Sequence, residues 1–500
     1  MSLQSNFRRV KIVCTLGPAS NTPKMLKGLI ETGMDVARFN FSHGTHDIHR
    51  ATFKTLREES KKLNRHVAAM QDLQGPKIRL GKLPEAGVVL KDGDTVLLYP
   101  DGTDPRSSTK GRIPLPVSAE ICEPISKALK KGAPIMFDDG KLLAEVVEVR
   151  VPEIVALVKV GGKLTSHKGM NLPGSSLPIP SCTEKDFEDL KFGLDLGMDA
   201  VALSFVRSPQ DIEQVKNFIK KHSNHRPVVI AKIEREEAVM LMDQITNVAD
   251  GILVARGDMA VELGAERVPI IQKQLIRTCN EVGVPVITAT QMLESMISCP
   301  TPTRAEATDV ANAVFDGTDA VMLSAETASG QYPLEAVRVM SKVILEAEQF
   351  RSSYGRHPDL IPMSGSVVDS IEFSASRIAD HVGAAAITCL THSGVAAKAL
   401  SKFRPSRPIV AITDNEDSLR KLAFVWGVQG VLIPDIVATE DVFEMAERVL
   451  TEHKWAQVDD LVVVTAGMPT LRRGTTNMMK VHRVGSLVEK AAKNRKTRDI

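Results

Sequence analysis

Eight short apolar runs, separated by longer amphipathic stretches, limit what this chain can fold into. The runs are Lys11–Leu16, Val36–Phe41, Val67–Leu73, Ala200–Val206, Val228–Ile233, Gly251–Ala255, Pro285–Ala289 and Ala320–Leu323. Rich in Val, Ile and Ala, they read as buried strands. Helical candidates lie between them at Thr22–Thr32, Ile48–Leu63, Glu184–Leu196, Ser208–Lys221, Val268–Glu281 and Arg304–Phe315. Several open on a capping residue or a proline, as in Asn21-Thr22-Pro23, Thr183-Glu184 and Ser208-Pro209. Strand–helix alternation repeated eight times predicts an α/β fold, a closed (β/α)8 barrel in preference to an open sheet.

The spacing breaks once, between Leu73 and Ala200, where too many residues intervene for one connection. Residues 75–170 read as β-rich, with turn signals at Gly93-Asp94, Gly140 and Gly161-Gly162 and alternating runs at Ala144–Val151 and Ile154–Val160. That pattern predicts a small β-barrel lid inserted after the third strand, over the catalytic face. After about Phe350 a second α/β pattern begins, with strands at Ala384–Leu390, Pro408–Ile412, Gly430–Ile433 and Leu461–Thr465 in an open sheet. The expected division is 1–72 with 171–345 as the barrel, 73–170 as the lid, 346–486 as a C-terminal α/β regulatory domain, and 487–500 as a basic tail.

A net charge of +2 gives no general pull toward nucleic acid or membrane, and neither is an expected partner. The six cysteines lack CxxC spacing, so no zinc site is expected. The first residues carry no apolar leader, and no apolar run has the length to cross a bilayer. A cytoplasmic location is the default reading.

In such a barrel the polar residues at strand C-terminal ends face the site. Run two ends ARFNFSHG, where Arg38, Asn40 and Ser42 share one face and Phe39 and Phe41 take the other. A guanidinium fork there suits a phosphate or carboxylate, and the neutral oxygens suit a cation or phosphate. Run five ends with Lys232 and Glu234 on one face, which could simply pair. Run six ends VARGDMAVE, bringing Asp258 to the same height. Two carboxylates from neighbouring strands make a hard site for Mg²⁺ or Mn²⁺ and leave Lys232 to face a transferring phosphoryl group. The Gly257-Asp258 amides open a helical turn, which attracts carboxylates. Run seven ends ITATQM; Thr290 is placed to bond a substrate oxygen or relay a proton, whereas Thr288 reads equally well as structural. Asp72, Lys77 and Arg79 at one lid junction and Lys168 at the other could converge on a nucleotide polyphosphate. No Walker or dinucleotide glycine motif is present. In the C-terminal pattern, Thr391, Ser393 and Gly394 follow a strand and open a helix, forming either a phosphate cradle or a plain capping turn.

Taken in order, KIVCTLGPAS, MDVARFNFSHG, DLQGPKIR, KGMNLPG, VVIAKIEREEAV, DGILVARGDMAVE, ITATQMLESM and PTRAEATDVANAVFDGTDAVMLSAET resemble the pyruvate kinase family, densely over residues 8–345 and loosely beyond. The resemblance implies transfer of a phosphoryl group from phosphoenolpyruvate to ADP, giving pyruvate and ATP, with a divalent metal. It implies that Arg38 binds the substrate phosphate and that Lys232 stabilises the group in flight. Glu234 and Asp258 would hold the metal, Gly257 and its neighbours Ala255 and Arg256 would lie by the substrate carboxylate, and Thr290 would lie on the face where the enolate is protonated. Asn40, His43, Arg79 and Lys168 would approach the nucleotide. A phosphorylated effector in the C-terminal domain and a homotetramer are likewise implied. Many members require K⁺ and read DTKGPEIR where this chain reads DLQGPKIR. Leu73 withholds one ligand oxygen and Lys77 supplies a fixed positive charge, so Asn40, Ser42, Asp72 and Lys77 are expected to form a monovalent-cation region that does not need K⁺. The rival readings are a metal-dependent carbon–carbon lyase and a silent paralogue acting as a scaffold.

Overall fold

The computed structural model describes residues 7–105, 111–175, 179–354, 366–433, 442–467 and 476–486, apart from the Ser352 side chain. Residues 487–500, the expected basic tail, lie outside them. Eight parallel strands close into a barrel: Lys11–Leu16, Val36–Asn40, Ala68–Asp72, Ala200–Leu203, Val228–Ile233, Gly251–Ala255, Val286–Ala289 and Ala320–Leu323. The first strand pairs with the second on one side and with the eighth on the other, Val13 lying opposite both Val36 and Met322. Helices start where the capping chemistry predicts. The Thr22 hydroxyl accepts from the Met25 N–H, and Thr183 and Asp186 cap each other's backbone at the helix Glu184–Leu196.

Alternate residues point into the barrel and form its apolar interior, among them Val13, Val36, Met70, Ala202 and Ile230. The next inward position on each of those five strands is polar: Thr15, Arg38, Asp72, Ser204 and Lys232. Period two therefore sets a polar ring directly above the core. At the other end, Phe424 of the C-terminal domain joins the interior cluster and packs by Val228, Ile230 and Ile287. The barrel floor is thus completed by another domain.

The inserted region is a curled six-stranded sheet with Met170–Asn171 at one edge and Ile113–Val117 at the other. Residues 78–81 tie the two edges together, Arg79 bridging Gly169 and Leu80 bridging Val117. A helix at Ala119–Ala128, containing Pro124, was not anticipated in this β-rich stretch. The C-terminal sheet has the order Val428–Leu432, Ile409–Thr413, Ile387–Leu390, Leu461–Ala466, Met478–Arg483, and the last strand runs antiparallel. That fifth strand lies on an edge and lacks the apolar density of the other four. Among the described residues no helix is long and apolar enough to cross a membrane.

Candidate active site

Strand two carries Arg38 as expected, and Nε of Arg38 donates to Oδ2 of Asp72 at 2.7 Å while Nη1 donates to the Thr15 hydroxyl at 2.9 Å. Asp72 ends strand three, 1% exposed, and its other oxygen lies 3.3 Å from Nζ of Lys232. Lys232 also reaches Glu234 at 3.0 Å and donates to the Ser204 hydroxyl at 2.6 Å. Two cations are thus bridged by one buried carboxylate. Burial alone would push the Asp72 carboxyl up, but Lys232 and Arg38 together outweigh it and hold it below the usual range. Burial likewise opposes the Lys232 charge. Asp72, Glu234 and Asp258 more than offset it, so the ammonium titrates above the ordinary lysine range and stays charged.

Glu234 differs. Burial raises its carboxyl, Lys232 offsets part of that, the Asp258 charge adds to it, and the Phe205 N–H at 2.8 Å lowers it again; the net direction is up. Glu234 and Asp258 line one cleft between the barrel and the inserted domain, along with Lys77, Arg207 and Glu262. Mutual repulsion between two carboxylates at a cleft is relieved by a hard divalent cation, so this donor pair fits one. Among the described residues no group of three or more His, Cys, Asp and Glu side chains gathers to hold an ion. Two protein carboxylates, with water and substrate completing the shell, is the usual arrangement for Mg²⁺.

Asp258 sits in the first turn of the helix Arg256–Leu263, which begins where strand six ends. The Thr290 hydroxyl accepts from the Gly257 N–H at 2.9 Å and donates to the Ala289 carbonyl at 2.7 Å, joining strand seven to that turn. Thr290 has φ +68° and Gln291 φ +53°, a conformation costly for a β-branched residue. Phe205, after strand four, has φ +56°. Left-handed residues thus lie within two positions of the ends of two barrel strands, on the face that carries the charged groups. Thr288 is buried and bonded to Thr318 at 2.9 Å, which is the structural alternative.

Other expected residues lie further out. Asn40 Oδ1 accepts from the Ser42 N–H at 3.1 Å, closing the turn after strand two, and Ser42 lies beyond the strand end. His43 is exposed in that turn, its carbonyl accepting from His49. Arg79 and Lys168 come together on the inserted domain: Arg79 donates to the His167 carbonyl at 3.1 Å and Lys168 pairs with Asp138 at 2.6 Å. Lys77 lies at the cleft with its Cε close to Gly169. In the C-terminal domain the Thr391 hydroxyl accepts from the Gly394 N–H at 2.9 Å, Gly394 has φ +83°, and Ser393 is exposed. Thr15, Ser204 and Phe205 were missed by the sequence reading. Carrying the period-two pattern on from Val13 and from Ala202 would have found the first two.

Two family models match the chain. The pyruvate kinase barrel domain covers residues 7–337 and the pyruvate kinase alpha/beta domain residues 369–482. The chain is 45% identical over 490 residues to pyruvate kinase 2 of Synechocystis sp., covering 96% of this chain and 80% of the relative. It is 42% identical over 491 residues to a pyruvate kinase of Geobacillus stearothermophilus, covering 97% and 81%, and 40% identical over 487 residues to one of Staphylococcus aureus, covering 96% and 81%. A closed barrel with charge gathered above its apolar interior, a curled insertion and an α/β C-terminal domain match that assignment. The chain belongs to the pyruvate kinase family and is a phosphotransferase of that family.

Proposed function

We propose that this enzyme transfers the phosphoryl group of phosphoenolpyruvate to ADP, yielding pyruvate and ATP at the end of glycolysis, with a divalent metal and without K⁺. The observation that carries the reading is the Lys232 ammonium held between Asp72 and Glu234, with Arg38 across Asp72. Phosphoryl transfer asks a protein mainly for positioning and for neutralisation of spreading negative charge. Arg38 grips the substrate phosphate, and Lys232, charged throughout the working pH range, faces the group in flight. Glu234 and Asp258 would hold Mg²⁺ or Mn²⁺, which supplies further charge neutralisation when bound. The substrate carboxylate lies by the backbone of Ala255, Arg256 and Gly257, where the helix opens. Thr290 relays a proton through water to the enolate carbon, and the gain in forming the keto product drives the overall step.

Asn40, His43, Arg79 and Lys168 approach the nucleotide as the inserted domain closes. In the monovalent-cation region, Asn40, Ser42 and Asp72 remain but Leu73 offers no side-chain oxygen. Asp72 already serves as anion to both Arg38 and Lys232, and Lys77 at the cleft brings the charge a K⁺ ion would bring. The division 1–72 with 171–345, 73–170 and 346–486 fits a barrel, a lid and a regulatory domain. A phosphorylated metabolite acting at Thr391, Ser393 and Gly394, a homotetramer that transmits its effect and a cytoplasmic location complete the reading.

The test is ATP formation from phosphoenolpyruvate and ADP with Mg²⁺, in Na⁺- and K⁺-free buffer held at constant ionic strength by a quaternary ammonium salt. Turnover that K⁺ raises less than about tenfold supports both parts, and a rise of about a hundredfold would sink the K⁺ part alone. A lyase would cleave a carbon–carbon bond without consuming ADP, and a scaffold would do neither.

A further inference from the structure

We propose that Ser204 positions Lys232 for the transfer, referring its ammonium to the main-chain carbonyl of Leu73, where the chain leaves the barrel for the inserted domain. The inference deepens the function proposed above and rests on it. Ser204 is the residue of the polar ring on strand four, one inward step beyond Ala202, and is 2% exposed. Its single hydroxyl proton goes to the Leu73 carbonyl at 2.7 Å, and its oxygen accepts from Nζ of Lys232 at 2.6 Å. The other two acceptors of that ammonium, Glu234 at 3.0 Å and Asp72 at 3.3 Å, are carboxylates that attract it from a range of directions. A hydroxyl with its own proton committed is the directional acceptor of the three. Satisfying a buried serine would need only the carbonyl; the second bond is what fixes the lysine.

The backbone around Ser204 fits this role. Phe205 takes φ +56° immediately after it, and that turn aims the Phe205 N–H at Oε2 of Glu234, 2.8 Å away. One strained step therefore holds both Lys232 and Glu234. The Phe205 ring in turn rests against Gly75, where a Cβ would meet it at 2.7 Å and where φ is +67°. Leu73 and Gly75 are the root of the insertion, so motion of that root is felt by the lysine through the Leu73 carbonyl.

The experiment compares Ser204→Ala, Ser204→Thr and wild type by phosphoryl transfer, by exchange of the pyruvate methyl protons into deuterated water, and by thermal unfolding. Loss of the hydroxyl is expected to lower kcat for transfer about 10- to 100-fold with the phosphoenolpyruvate KM within about threefold, because a misplaced group costs rate more than binding. Methyl-proton exchange, which needs Thr290 and the metal pair but not the lysine, is expected to stay within about threefold. Ser204→Thr, which keeps the hydroxyl, is expected to recover most of the rate. Should the alanine variant not fold, Ser204→Cys, of similar size with a far weaker acceptor, carries the same expectation. Unchanged transfer in Ser204→Ala would overturn the proposal. So would equal loss of transfer and exchange without rescue by threonine, since that marks a packing residue. Wild-type protein that makes no ATP would overturn the function itself, and this proposal with it.

Discussion

At the floor of the barrel Arg404 lies with its side chain 3% exposed, both nitrogens of its fork on the two oxygens of Asp319 at 2.9 Å. It also donates to Asn280, to the carbonyls of Gly317 and Ser401 and to the Ser401 hydroxyl, and the face of Trp426 covers it at 5.0 Å. At the mouth, Lys232 and Arg38 share Asp72, while Glu234 and Asp258 stand in each other's field. The same eight strands carry both ends. Below, Arg404 and Asp319 form a closed pair packed by Trp426, with Phe424 in the barrel interior; above, each charge is shared among several partners and the backbone is strained. A floor of closed pairs stabilises one arrangement of two domains. A mouth where Glu234 and Asp258 stand in each other's field favours a divalent cation, in keeping with the proposed active site.

That contrast predicts opposite responses to removing one cation. Lys232→Met should lower kcat by about 10³-fold or more, since it deletes charge stabilisation realised in the transfer itself. Its unfolding midpoint should move little, because Arg38 stays on Asp72 and Glu234, already inclined to hold a proton, takes one up. Steady-state kinetics beside thermal melts check both halves, and a kcat within tenfold of wild type would remove Lys232 from its assigned role. Arg404→Met should do the reverse. Among the described residues it leaves buried Asp319 with the Trp426 and Val286 N–H groups as its hydrogen-bond donors, at 3.2 and 3.1 Å, and should cost about 3–5 kcal/mol in urea unfolding. Activity per folded molecule in the cold should stay within about twofold, since Arg404 touches nothing at the mouth. Equal stability to wild type would mean that the floor pairing does not hold the domains together.

The mouth was far more legible in the sequence than the floor, and the reason is periodicity. Arg38, Lys232 and Glu234 continue an inward-facing alternation that each apolar strand announces, and Asp258 follows the sixth strand in a short glycine-containing turn. Ser204 obeys the same rule but was passed over, because an isolated serine beside Phe205 carries no charge to mark it. The floor depends on pairs such as Arg404 with Asp319 and Arg420 with Asp199, and on Phe424 entering a barrel whose strands ended a hundred residues earlier. No local pattern encodes which distant segment covers an open barrel end. The strand Met478–Arg483 was invisible for a related reason: at the sheet edge it needs little apolar surface, and its ladder comes from the partner Leu461–Ala466. In the inserted region the helix Ala119–Ala128 was masked by its internal proline and short length.

A third kind of buried ionisable group lies in the core of the C-terminal domain and extends the comparison to a carboxyl with no cation partner among the described residues. Glu372, 0% exposed on the helix Val367–His381, accepts from the Thr465 hydroxyl at 3.4 Å, and among the described residues no basic group pairs with it. Burial pushes its carboxyl up to about 8, the hydroxyls of Thr465 and Thr476 opposing this only in part. In the unfolded chain a glutamate ionises near 4.5, so between there and about 8 the unfolded state has lost a proton that the folded state keeps. The unfolded state then binds fewer protons, and stability falls as pH rises through that window, by at most about 1.4 kcal/mol per pH unit, levelling off once the folded carboxyl ionises. Glu372→Gln has no proton to lose. Its stability should therefore fall less steeply than wild type from pH 6 to 8, and the gap should close below pH 4.5, where both states of the wild type are protonated. Urea unfolding followed by circular dichroism at a series of pH values reads the difference directly. Parallel pH profiles for the two proteins would mean that Glu372 is charged in the fold and paired after all, making it a floor-type group and not a third kind.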